Sequence, residues 1–338
     1  MAAFTTIDEP EAYFQVKLYT GNGGSQSITL DGDTDMQPDL IWIKERDDAH
    51  SSSVIDSVRG VRKTLTSDET ASVITESSGL SAFDSDGFSF DGAGGNHVNV
   101  SDQPTVAWCW KESATAGFDI VTYTGNAAQG RDLSHSLSAV PHVMIVKNRT
   151  NSIKWAIYHH KNTSAPATDH LILDSNAATA DDDSTWNDTD PTSSVFTVKS
   201  STSVNGSSAD YVAYLWTEKQ GFNSMGSYVG NGSTNGTAVH TGFRPAFLMI
   251  KRTDSTGNWF MFDNKRSTFN EIDGDYLEAD LPSAEVTTST AVDLDFLSNG
   301  FKIRNTSSSY NANDGTYVYF SWAESPFVNS NGVPNNAR

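Results

Sequence analysis

The sequence predicts an all-β fold: three tandem β-sandwich repeats, jelly-roll or concanavalin-like, of roughly 105 residues each. Three observations lead there. Short anchors recur in a fixed order along the chain. Apolar residues within the last anchor alternate with a period of two, the signature of a strand with one covered face. Clusters such as "DGDTD", "NGSS", "DSTGN" and "NANDG" separate short β-branched and aromatic runs, as turns separate strands.

The elements follow in order. Each repeat opens with a Tyr–Gly–Asn anchor: "LYTGNGGSQS" (18–27), "TYTGNAAQGR" (122–131) and "SYVGNGSTNG" (227–236). Tyr19, Tyr123 and Tyr228 are spaced by 104 and 105 residues. A tight turn is expected there, with glycine supplying backbone angles that other residues resist. The second anchor is "PDLIWIK" (38–44), "PHVMIVK" (141–147) and "PAFLMIK" (245–251). It is apolar at every position, so this strand is expected to be covered on both faces. Lys44, Lys147 and Lys251 end it. Asp56 and Asp263 follow their lysines by 12 residues, with His159 in that place in the second copy. A shared structural ion pair is the expectation. The stretch "DSVRGVRKTL" (56–65) is ambiguous between helix and strand. Leu65, Leu171 and Leu277 keep the spacing of 106, as do Asp68, Asp174 and Asp280. The last anchor is "VAWCWKE" (106–112), "VAYLWTE" (212–218) and "VYFSWAE" (318–324). Val106/Val212/Val318, Trp108/Tyr214/Phe320 and Trp110/Trp216/Trp322 keep one face apolar while the positions between drift. That pattern predicts a half-buried strand, with Cys109 on the drifting face.

The phase of the repeats places the units at 1–116, 117–221 and 222–338, the last with a short C-terminal tail. Carboxylates outnumber Lys plus Arg by 42 to 22, giving a net charge of -20. Such a chain repels phosphate backbones, so nucleic acid is not an expected partner. The single cysteine excludes an internal disulfide and a cysteine-built zinc site. No apolar run approaches the ~18 residues of a membrane helix, and the start "MAAFTTIDEPEAYF" lacks the pattern of a signal peptide. There is no GxSxG, P-loop or HExxH motif.

The motifs "SYVGNGS", "PAFLMIK", "STWNDTDPTSSVFTV" and "YVAYLWTE…GF", with the opening "FTTIDEPEAYFQVKLYTGNGGSQSI" and the closing "SPFVNSNGVPNNAR", are similar to a repeat domain of marine bacteriophage and cyanophage virion proteins. The resemblance covers nearly the whole chain. It implies a β-rich component of a tail fibre or other virion surface, assembled in the host cytoplasm, and it supplies no catalytic residue. The first copy departs from the pattern where "SSSVIDSVRGVRKTL" replaces an aromatic strand.

Two loops invite chemistry. In "ADDDSTWNDTD" (180–190), Asp181, Asp182, Asp183 and Asp188 offer the oxygens that Ca²⁺ prefers, although the spacing is not that of an EF-hand. Trp186 among them offers a ring on which a sugar stacks. In "EIDGDYLEAD" (271–280), Glu271, Asp273 and Asp275 alternate as the acid pair of some glycosidases does. His159 and His160 lack a nearby carboxylate in sequence and are expected at the surface. The reading is a non-enzymatic virion surface protein, either a tail-fibre receptor binder touching host glycans or a capsid decoration protein. No cofactor is expected beyond Ca²⁺ at the aspartate loop. The expected partners are other virion proteins and further copies of the chain, as a trimer. The alternatives are a glycan hydrolase using Glu271 and Asp273, or a free lectin-like module.

Overall fold

The computed structural model describes residues 4–95, 97–268, 270, 275–287 and 293–335. The fold is all-β, and among the described residues helix is confined to three short turns at Pro10–Ala12, Asp183–Trp186 and Ser308–Asn311. No described helix is long and apolar enough to cross a membrane.

Three large antiparallel sheets share one strand order. Sheet 1 runs Phe14–Thr20, Pro104–Trp110, Leu40–Glu45, Ser53–Asp56, Lys63–Thr66 and Ile74–Thr75. Sheet 2 runs Phe118–Thr124, Asp210–Trp216, Val143–Asn148, Ala156–His159, Asp169–Ile172 and Ala180–Asp181. Sheet 3 runs Asn223–Val229, Thr316–Pro326, Phe243–Arg252, Phe260–Asp263 and Leu277–Glu278. The closing strand of each sheet thus lies between its opening strand and the all-apolar strand. The ambiguous stretch 56–65 is a hairpin, because Asp56 turns back through Gly60 into Lys63–Thr66.

One face of every large sheet enters a common core. Trp110, Trp216 and Trp322 hold the same register in their sheets, opposite Leu40, Val143 and Phe247. Their rings meet in a triangle with centroids 6.3, 5.3 and 5.9 Å apart. Phe14 from the first strand stacks on Trp322 from the last at 5.7 Å, closing the three sheets around an approximate three-fold axis. The other face of each sheet carries a small sheet: Ser25–Ile28 with Gly87–Asp91 and Leu80–Asp84, Arg131–Ser134 with Val195–Val198, and Ala238–His240 with Gly300–Ile303 and Leu294–Leu297. Each pair of sheets encloses its own apolar layer. The closing strand is therefore buried on both faces, not half-buried as its alternation predicts. Cys109 faces the outer layer with Ile41 and Phe88. Drift at that position reflects packing against a different small sheet in each case.

The repeated polar residues hold the sheets to one another. The ammonium of Lys147 donates to Thr70 O (2.8 Å) on sheet 1's side and to Ile153 O (2.6 Å). Lys44 reaches Pro282 O (2.8 Å) and His50 O, and Lys251 reaches Asn176 O (3.3 Å) and Arg252 O (2.7 Å). Each lysine thus grips a loop of the neighbouring sheet, in cyclic order, and burial pushes all three down to about 8. The expected ion pairs with Asp56 and Asp263 do not form. Those carboxylates bind Arg59 and Arg266 instead, because arginine's planar fork suits a dry carboxylate better than a point charge. Each also accepts a hydrogen bond from the next sheet: from Tyr214 Oη–H to Asp56 at 2.7 Å, and from Trp108 Nε1–H to Asp263 at 3.1 Å. The third seam places Phe320, which has no donor, against the ring of His159 at 5.1 Å. Trp155 and Trp259 donate across seams to Thr66 O and Ile172 O, each at 2.9 Å. The equivalent place in the first copy holds Ser52.

The Tyr–Gly–Asn anchor also has a different cause from the one expected. Gly21, Gly125 and Gly230 do not have positive φ. A Cβ at those glycines would lie 2.1, 2.1 and 2.3 Å from a carbonyl oxygen of a crossing loop. The following asparagine amides donate to the buried side chains of Asn99 (3.1 Å), Asn205 (2.9 Å) and Asn311 (2.9 Å).

Candidate functional site

The aspartate loop is built as structure. Trp186 is 0% exposed and packs edge-to-face on Tyr158 at 6.0 Å, so it has no free ring face for a sugar. It lies 106 residues after Leu80, a buried strand residue of the first small sheet, and that offset marks it as a core position. The second small sheet has two strands where the others have three, and the short helix ending in Trp186 covers the gap. Asp182 caps that helix by accepting Ser184 N–H at 2.9 Å, and Asp183 pairs with Lys199 at 3.1 Å. Asp181 and Asp188 are exposed on a strand and a left-handed turn. The four carboxylates do not converge as Ca²⁺ ligands must. Glu271 and Asp273 lie outside the described residues, and Asp275 accepts Ser267 Oγ–H at 2.6 Å.

A different cluster converges at one end of sheet 2. Three adjacent strands finish together there, since Val143 is in register with both His159 and Trp216. The residues just beyond these ends, His142, His160 and Glu218, therefore meet. One ligand atom of each lies within 4.8 Å of the others. The imidazoles stand edge-to-face, 4.4 Å between centroids and 79° apart in plane. Each side chain is held from behind. His160 Nε2–H donates to Met225 O at 2.6 Å, which leaves Nδ1 with its lone pair. Glu218 Oε1 accepts Met225 N–H at 2.8 Å and Ser224 Oγ–H at 3.1 Å, which leaves Oε2. His142 Nδ1 accepts the amide of Glu218 at 3.0 Å, and its Nε2 lies 4.0 Å from Glu218 Oε2. Burial pushes both imidazoles below the usual histidine range, with Lys161 adding to the effect, so both are neutral at pH 7. His160 is thus not the isolated surface residue its sequence context suggests. His159 is buried, donates to Tyr319 O at 3.3 Å and is pushed down to about 3, chiefly by burial.

A second group, Glu45, His50 and His97, also places ligand atoms within 4.8 Å. His50 Nδ1 bonds Glu45 at 2.7 Å, and His97 lies flat on His50 at 3.5 Å with planes 3° apart. Lone pairs lie in the plane of their ring, so two parallel stacked imidazoles cannot aim at one ion. This group is a hydrogen-bonding and stacking cluster.

The histidine cluster joins residues far apart in sequence, and only the strand register reveals it. The nearest sequence signal was the Trp-x-Glu ending shared by Glu112, Glu218 and Glu324. No curated protein matches the chain. Residues 9–326, from the first short helix through the last strand, match the family described as Domain of unknown function (DUF7483), and the chain belongs to that family.

Proposed function

We infer that the chain is a non-enzymatic structural protein of a bacteriophage particle, carried on the virion surface as a tail-fibre component or a capsid decoration protein. One observation supports this reading most. The anchors repeated along the sequence are spent on the body: tryptophans in the common core, lysines on neighbouring carbonyls, asparagines and glycines in loop crossings. Among the described residues these anchors serve packing within and between sheets. A body held together by such repeated contacts suits display and attachment, where shape must survive outside the cell. The acidic surface that follows from a net charge of -20 keeps such a body from sticking to nucleic acid. The motif resemblance to virion repeat domains points the same way.

Immunogold labelling of purified particles, with antibody raised against the chain, tests the proposal. Label on the head favours decoration and label on the tail favours host attachment. Particles that carry none of the chain overturn it.

A further inference from the structure

We propose that His142, His160 and Glu218 form a binding site for one divalent transition-metal ion of the zinc, cobalt or nickel class. Two imidazoles and one carboxylate are the donor set of many such sites, and imidazole nitrogen selects these ions over Ca²⁺ and Mg²⁺. The free atoms of His160 and Glu218 are oriented before any ion arrives. Met225 O holds His160, and Met225 N–H and Ser224 hold Glu218. Such outer contacts fix ring orientation in metal sites. All three residues are part-exposed, so an ion can enter and water can complete its coordination.

Comparison of the copies separates what the fold needs from what has been added. Glu112 accepts Ile120 N–H through Oε1 (3.3 Å) as Glu218 accepts Met225 N–H, so the carboxylate belongs to the seam. The places of the two histidines hold Asp39 and Ser57 in the first copy and Ala246 and Asn264 in the third. Asp39 accepts the amide of Glu112 at 2.8 Å, as His142 accepts that of Glu218. Two of the three copies thus place an acceptor at this position and the third has alanine, and the copies have nothing in common at 160. Two imidazoles meeting there exceed the structural requirement.

Two features oppose binding and set its strength. The amide of Glu218 points at His142 Nδ1, so the metal-free ring carries its proton on Nε2. Coordination through Nε2 moves that proton to Nδ1, where Thr217 Oγ1 at 3.1 Å accepts it, and the amide loses its acceptor. That loss lowers affinity about tenfold to a hundredfold. Lys161 also directs positive charge at both rings. The ion would link the end of sheet 2 to the opening strand of sheet 3 through Glu218 and the contacts of Met225.

Calorimetric titration of the chelator-stripped full chain with Zn²⁺, and the visible spectrum with Co²⁺, test the proposal. The expected result is one ion per chain, uptake unaffected by excess Ca²⁺, and affinity lowered about tenfold or more in His160→Gln. His240→Ala, at an exposed histidine elsewhere, should leave uptake unchanged. Lys161→Ala should tighten binding several-fold, a gain that misfolding cannot produce, since the contact of Lys161 with His159 is made by its backbone amide. Absence of saturable uptake, or uptake unchanged in His142→Gln/His160→Gln, overturns the proposal.

Discussion

Removing the hydroxyl of Tyr214 probes the grip between sheets with almost no change in volume. Tyr214 is buried, and its Oη–H donates to Asp56 Oδ2 at 2.7 Å while accepting from Arg59 Nη2 at 3.0 Å. Asp56 and Arg59 have no exposed side-chain surface, so water cannot replace the lost partner. Hydrogen bonds to charged groups contribute about 1.5–3 kcal/mol each. Both charged groups keep other partners, in Arg59 Nε and Val54 O, so the loss is that of one strong bond, not two. Tyr214→Phe should therefore cost about 2–3 kcal/mol. At about 2.1 cal/mol/K per residue, the whole chain unfolds with an entropy near 0.7 kcal/mol/K, so the midpoint should fall by about 3–4 °C. Tyr123→Phe is the control, because Tyr123 Oη–H donates at 2.6 Å to the neutral carbonyl of Val204, and it should cost about 1 kcal/mol. Scanning calorimetry with urea unfolding reads both. A Tyr214→Phe loss below about 0.5 kcal/mol, or no larger than the control's, would refute the view that buried charged networks join the sheets.

Trp186→Ala should cost about 3–5 kcal/mol in urea unfolding, the loss expected of a core tryptophan, and a near-neutral result would return Trp186 to the surface. His159 is held near 3 when folded against 6.5 ordinarily, so below pH 6.5 the unfolded chain takes up a proton that the folded chain refuses. Stability should fall as pH drops from 6.5 toward 3, by up to roughly 4–5 kcal/mol from this residue, and His159→Gln should flatten the profile. Burial raises the Cys109 thiol well above its usual range, so a thiol reagent should label it only as fast as the chain opens globally.

The internal spacing near 105 residues made much of the framework legible. It located the all-apolar strand ending in Lys147, and that strand is covered on both faces as its composition requires. It also carried information left unused, since Asn99, Asn205 and Asn311 keep a spacing of 106 and brace the three loop crossings. The partner of Lys147 was not legible, because Thr70 is brought to it by packing between sheets and not by local sequence. The same holds for His160 and Glu218, 58 positions apart, which meet only because their strands flank Val143–Asn148 in register. Trp186 misled for a different reason. Its acidic neighbours read as a solvated loop, yet the short helix they form turns the indole inward.

The central claim is that three sheets share one core and fold as a body. Residues 117–221 expressed alone test it most directly, by thermal unfolding followed with near-ultraviolet circular dichroism. Ile145, Trp155, Ile157, Leu171, Tyr214 and Trp216 would lose the partners that cover them in the common core. The account predicts no cooperative transition for this piece, and a single one for the whole chain. A sharp, reversible transition in the isolated segment would contradict it, and would make each sheet pair an independent domain.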